Sequence, residues 1–143
     1  MTGSAAEESH DVTWFVDRSL GRGVARALID VGEHAIYHDE QFPQDALDEE
    51  WLPLCGERGW VVLTKDKAIR RRLLERQALL SAGVRAFFLT SGSMTGAEMA
   101  GAFLRCLPAM SQLIENEDAP FIALVSRSGV KIHVQPSPTR RRR

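Results

Sequence analysis

Apolar and polar positions along this chain follow two alternating registers. Short apolar runs have the length of strands: "TWFV" (Thr13–Val16), "HAIYH" (His34–His38), "WVVL" (Trp60–Leu63) and "VRAFFL" (Val84–Leu89). Between them, apolar residues recur every three or four positions, as on one face of a helix. In "SLGRGVARALIDVG", Val24, Leu28 and Val31 have that spacing, with Ser19 placed as an N-cap and Gly32 as a terminator. A second helix is predicted over Asp48–Arg58, with Trp51, Leu54 and Cys55 on one face. Pro53 has no N–H to donate, so this helix begins only a few residues earlier or kinks there. "KAIRRRLLERQALLSAG" reads as a third helix. "TGAEMAGAFLRCLPAMSQLIEN" reads as a long fourth, with a bend expected near Pro108. "DEQFPQD" is a loop, and "PFIALVSRSGVKIHV" is two strands around a turn at Arg127–Gly129.

Repeated strand–helix alternation predicts an α/β fold, a three-layer α/β/α sandwich on a mostly parallel central sheet. The terminal hairpin adds an antiparallel edge. With 143 residues, one domain is expected, over 12–134, between flexible ends at 1–11 and 135–143. No apolar run is long enough to span a bilayer, so no membrane partner is expected. The polar start, "MTGSAAEESHD", has no signal-peptide pattern, which makes cytoplasmic the expected location. Cys55 and Cys106 sit in helical patterns and read as reduced, buried thiols. Met94, Met99, Phe103 and Leu107 serve either the core or a homodimer contact. A net charge of −1 conceals a terminal "RRRR" and a body of −5, which argues against a general nucleic-acid-binding domain but not against a local basic patch.

In open parallel sheets the functional crevice lies beyond the C-terminal ends of the strands. Asp17 follows the first strand in "VDRS", and Asp66 follows the third in "LTKD". Asp48, Glu49 and Glu50 open the second helix in "DEEW". Each acid has an ordinary use at a helix start, as a cap or as a complement to the helix dipole. Together they bring carboxylates from three elements to one rim. Such groups repel unless they share a proton or a cation. Hard oxygen donors suit Mg²⁺ or Mn²⁺, and no His/Cys spacing suits zinc. Lys65, Lys67 and Arg70 are then placed to hold a phosphodiester backbone, with Arg71 and Arg72 directed elsewhere. The four histidines show no paired spacing and receive no role.

"FVDRSLG", "DEEWL" and "WVVLTKDKAIR", in that order, resemble the PIN-like nuclease fold, especially its compact branch related to VapC toxins. The likeness covers roughly Thr13 to Leu89. It implies Mg²⁺- or Mn²⁺-dependent RNA cleavage, RNA as substrate, and an antitoxin as protein partner. The acids carry over as Asp17, Asp48 and Asp66. Many members carry a further acid after the next strand, where this chain has Thr90, Ser91 and Ser93, with Glu98 farther on. Either three acids suffice, or Glu49 completes the set, or metal binding is weakened. Two other readings remain. One is a receiver-like signalling domain with Asp66 as phospho-acceptor. It is disfavoured because Arg18 follows Asp17 and Lys131 lies inside the terminal hairpin. The other is a PIN-like binding module without catalysis.

Overall fold

The computed structural model describes residues 12–67, 73–90 and 93–135. Six strands form one sheet: β1 (Thr13–Val16), β2 (His34–Tyr37), β3 (Val61–Thr64), β4 (Arg85–Leu89), β5 (Phe121–Ser126) and β6 (Gly129–Val134). Their spatial order is β2-β1-β3-β4-β5-β6. Every neighbouring pair is parallel except β5 and β6, which form the antiparallel edge. Four α-helices are described: α1 (Arg22–Asp30), α2 (Asp48–Arg58), α3 (Leu73–Ser81) and α4 (Gly96–Asn116). The α/β class and the mixed sheet are those the sequence pattern predicts.

Successive strand residues point to opposite faces, and here both faces are covered. Trp14, Val16, Leu63, Phe87 and Val125 join Val24 and Leu28 of α1 and Phe103 and Met110 of α4 on one side. Phe15, Val62, Phe88 and Ile122 join Trp51, Leu52 and Cys55 of α2 and Leu79 of α3 on the other. Burial on both faces is the reason the strands read as unbroken apolar runs rather than alternating ones.

Several local expectations are corrected. Ser19 does not cap a helix: it lies in a 3₁₀ turn, Arg18–Leu20, and α1 starts only after Gly21, whose φ of 86° breaks the helical path. Val31 is 53% exposed because α1 ends at Asp30, so its helical spacing places it on no face. Leu52, not Leu54, joins Trp51 and Cys55 in the core. Asp48 is the first residue of α2 rather than its cap, which is Leu47, and Pro53 is contained within the helix. Helix α4 is continuous through Pro108. Met99 and Phe103 are buried in the core, and Met94 and Leu107, partly buried, pack against the same cluster. At the C-terminal end Gln135 is tied down, its Nε2 donating to the Asp118 carbonyl. The expected flexible ends, 1–11 and the rest of the basic tail, lie outside the described residues.

Candidate active site

The chain leaves β1 in one direction to form β2 and returns on the other side of β1 to form β3. The β1/β3 boundary is therefore the point where connections diverge, and the rim above it is open. Asp17 and Asp66 stand on that rim. The amide N–H of Asp17 still pairs with the Leu63 carbonyl at 2.9 Å, so the backbone that carries its carboxylate is fixed by the sheet.

Asp17 is 7% exposed, and its carboxylate is held by two hydroxyls. Thr64 Oγ1 and Ser19 Oγ each donate to Asp17 Oδ2 at 2.7 Å. Each hydroxyl has one proton, so the 3.3 Å approach between Ser19 and Thr64 is a contact rather than a further bond. The lone pairs of the same hydroxyls accept backbone protons from the loop after β3. Lys65 N–H donates to Ser19 Oγ at 3.2 Å, and Asp66 N–H to Thr64 Oγ1 at 3.0 Å. One network thus orients Asp17 and positions the peptide that carries Asp66. Both hydroxyl bonds fall on Oδ2, and Oδ1 has no partner among the described residues.

Asp17, Asp48 and Asp66 line one cleft of about 280 Å³, together with Arg18, Ser19, His38, Gln44 and Trp51. The "DEEW" acids divide their labour. Glu50 accepts the Leu47 N–H at 2.9 Å and so closes the start of α2. Glu49 is exposed and outside the cleft wall. Asp48 alone of the three faces the cleft. Carboxylate oxygens on an open polar wall fit a hard divalent ion that keeps much of its water. Among the described residues no three His, Cys, Asp or Glu side chains are close enough to enclose an ion, so the cleft does not offer an all-protein cage.

The basic residues separate. Lys65 lines a neighbouring hollow with Ser93, Met94, Thr95 and Glu98. Lys67 is exposed, and Arg70 lies outside the described residues, as do Arg71, Arg72 and Ser91. Glu98 caps α4: its Oε1 accepts the Thr95 N–H at 2.8 Å, while Thr95 Oγ1 accepts the Glu98 N–H at 3.1 Å. Thr90 bonds to the Val125 carbonyl through both its N–H and its hydroxyl.

One wall of the cleft went unread in the sequence. Asp39 Oδ1 accepts from Arg18 Nε at 2.9 Å and pairs with His38 Nδ1 at 3.1 Å, and Asp39 Oδ2 accepts from Gln44 Nε2 at 3.3 Å. Burial opposes the Asp39 charge, but the His38 bond, the Arg18 charge and bond, and the Gln44 bond outweigh it and hold the carboxyl below its ordinary range. His38 is buried against Phe15, Phe42 and Trp51, with ring centroids 5.6–5.9 Å apart. A histidine directly after an apolar run, read as the last residue of the strand, gives no sign of that setting. Local spacing makes Ser19 a helix cap and assigns Thr64 no role.

Comparison with known proteins identifies the family. The family described as "PIN like domain" matches residues 12–91. A protein named "Putative ribonuclease VapC45", from Mycobacterium tuberculosis (strain ATCC 25618 / H37Rv), is 31% identical over 121 residues, 81% of this chain and 87% of that protein. No solved structure gives a significant match. With a match across the segment that holds all three acids, and a relative aligned along most of both chains, this chain belongs to the PIN-like domain family, in its VapC-type group.

Proposed function

We propose that the chain is a divalent-metal-dependent endoribonuclease that hydrolyses RNA phosphodiester bonds, acting in the cytoplasm as the toxin of a toxin–antitoxin pair. The observation that carries this reading is the meeting of Asp17, Asp48 and Asp66, from three elements, on one cleft at the β1/β3 boundary. The name of the mycobacterial relative supports ribonuclease activity, and the resemblance to VapC toxins implies an antitoxin partner. Asp17, Asp48 and Asp66 would hold Mg²⁺ or Mn²⁺. When bound, the ion supplies Lewis acidity toward a phosphate oxygen and a water of lowered pKa. Ser19 and Thr64 keep the Asp17 carboxylate in one orientation, so that no rearrangement is needed on binding. Lys65, Lys67 and Arg70 would position the phosphate backbone beside the acids.

The separation of the three acids favours one other reading, a PIN-like module that binds without cleaving. Incubation of the purified chain with RNA and increasing Mn²⁺ decides between them. Cleavage that disappears in Asp17→Asn and in Asp66→Asn, with unchanged circular dichroism, is the expected result. Cleavage by both variants at the wild-type rate refutes the site. Absence of cleavage by the wild type at every Mn²⁺ concentration favours the binding module. Among the described residues no helix is long and apolar enough to cross a membrane.

A further inference from the structure

The sheet order sets the order of the loops along its C-terminal rim. After the β1/β3 cleft comes Lys65, then the segment between β4 and α4, then the β5–β6 turn. Hollows follow the same path. The one that Lys65 lines, about 500 Å³, extends to Glu98 at the start of α4. A second, about 360 Å³, shares Glu98 and continues over Gly101 to Arg105 and Arg127. Glu98, Gly101 and Arg105 fall at i, i+3 and i+7, on one stripe of α4. Gly101 has no side chain, so the Arg105 guanidinium comes close to bare helix: a Cβ built at Gly101 would sit 3.5 Å from Nη1.

Both arginines are exposed, and among the described residues neither has a carboxylate within ion-pair distance. The opposing charge in the path is Glu98, whose Oε1 already accepts the Thr95 N–H. Lys65, Arg105 and Arg127 thus outnumber it three to one along a hollow that begins beside the acids. Unpaired guanidinium groups on a concave path suit phosphate oxygens.

We propose that this path is a track for single-stranded RNA, with Arg105 and Arg127 holding phosphates of the strand beyond the bond to be cut. The inference rests on the ribonuclease reading of the acid cleft and adds to it the two arginines that hold the strand away from the cut. From the β1/β3 boundary to β5 is two and a half strand spacings, about 12 Å at ~4.8 Å each. The ~3.4 Å rise of a stacked strand is a lower bound for an extended one, so the arginines meet phosphates no more than about three or four nucleotides from the acids.

The test measures binding of a fluorescein-labelled ten-nucleotide oligouridine by anisotropy across a salt series. EDTA is present, so that binding is read without cleavage. The proteins are the full chain, Arg105→Gln/Arg127→Gln, and Arg26→Gln, an exposed charge on α1 that lines neither hollow. Two lost phosphate contacts flatten the slope of log K against log salt by about 1.4, which is roughly 65-fold weaker binding near 50 mM salt and no difference near 1 M. Arg26→Gln is expected to match the wild type. With Mn²⁺, cleavage of the decamer should fall in the double variant, while cleavage of a diuridine, too short to reach the arginines, should not. An unchanged slope overturns the track, as does failure of the wild type to bind the decamer at the lowest salt. A parallel titration uses labelled polyglutamate: if the double variant loses polyglutamate binding while RNA binding stays intact, the track is overturned, because the surface then belongs to an acidic protein. Arginine-dependent binding without Mn²⁺-dependent cleavage would sustain the track and refute the nuclease, so the two failures are distinguishable.

Discussion

Replacing Thr64 by valine isolates the network that carries the candidate site. The side chain is fully buried, and valine fills nearly the same space, so the change removes hydroxyl chemistry without leaving a cavity. Two bonds are lost: the 2.7 Å donation to the Asp17 carboxylate and the 3.0 Å acceptance from the Asp66 amide. A bond to a charged group contributes about 1.5–3 kcal/mol, and a neutral backbone bond at a half-buried site about 0.5–1.5 kcal/mol. The expected destabilisation is therefore about 2–4 kcal/mol. A domain of this size has a total stability of roughly 5–15 kcal/mol, so the variant should fold. At about 2–4 °C per kcal/mol, its melting temperature should fall by roughly 4–16 °C.

Urea unfolding at neutral pH measures the loss directly. Repeating it in an Asp17→Asn background completes a double-mutant cycle. With a neutral carboxamide as acceptor the Thr64 bond returns to the neutral range, so the two changes should couple by about 1 kcal/mol. Activity should fall more steeply than stability. Loss of a partner that orients a ligating carboxylate typically costs about 10–100-fold, and here the loop bearing Asp66 is released by the same substitution. Additivity within about 0.3 kcal/mol, together with unaltered RNA cleavage, would refute the coupling.

Gly56→Ala and Gly101→Ala should act in opposite directions. A Cβ at Gly56 would run into the Ala82 carbonyl oxygen, a backbone atom that cannot swing away, so a loss of about 3 kcal/mol or more is expected in urea unfolding. At Gly101 the nearest atom is 3.5 Å away, and better helix propensity should add up to about 1 kcal/mol. Asp39→Asn should flatten the acid side of the stability profile. The folded carboxyl titrates below its ordinary 3.8, so its contribution is complete above that pH and is lost as pH falls through the lower folded value; unfolding midpoints measured from pH 6 down to 2 report it. Burial pushes the Cys55 thiol up to about 12, with Arg58 opposing and Asp17 adding, and burial also raises Cys106. Neither should react with a disulfide reagent at pH 8 until the chain unfolds, and rapid native-state labelling would contradict the packing.

The sheet was legible because both its faces are covered, which writes β1, β3 and β4 as apolar runs that no turn residue interrupts. Asp17 and Asp66 were legible for the same reason, as the first carboxylates beyond two such runs. Legibility failed where a residue's role depends on a partner distant in sequence. The Arg18–Asp39 pair joins residues 21 apart, and the Thr64–Asp17 bond residues 47 apart; neither follows from local spacing. It also failed where one backbone angle overrides a pattern. Gly21, at φ 86°, delays α1, and that delay frees Ser19 from capping to hold Asp17.

The three acids that open α2 show how the two kinds of evidence combine. Any of Asp48, Glu49 and Glu50 suits a helix N-terminus, and their composition cannot rank them. The helix angle can: successive residues are rotated by about 100°, so at most one of three consecutive side chains faces a given wall. Burial of Trp51 and Leu52 fixes the rotation of α2, which directs Asp48 into the cleft, leaves Glu49 in solvent and lets Glu50 reach back to the Leu47 amide. A candidate ligand is thereby chosen by apolar packing on the same helix. Substitutions that alter how Trp51 seats against Phe15, whose ring centroid lies 5.2 Å away, should therefore move Asp48 relative to Asp17 without touching either acid.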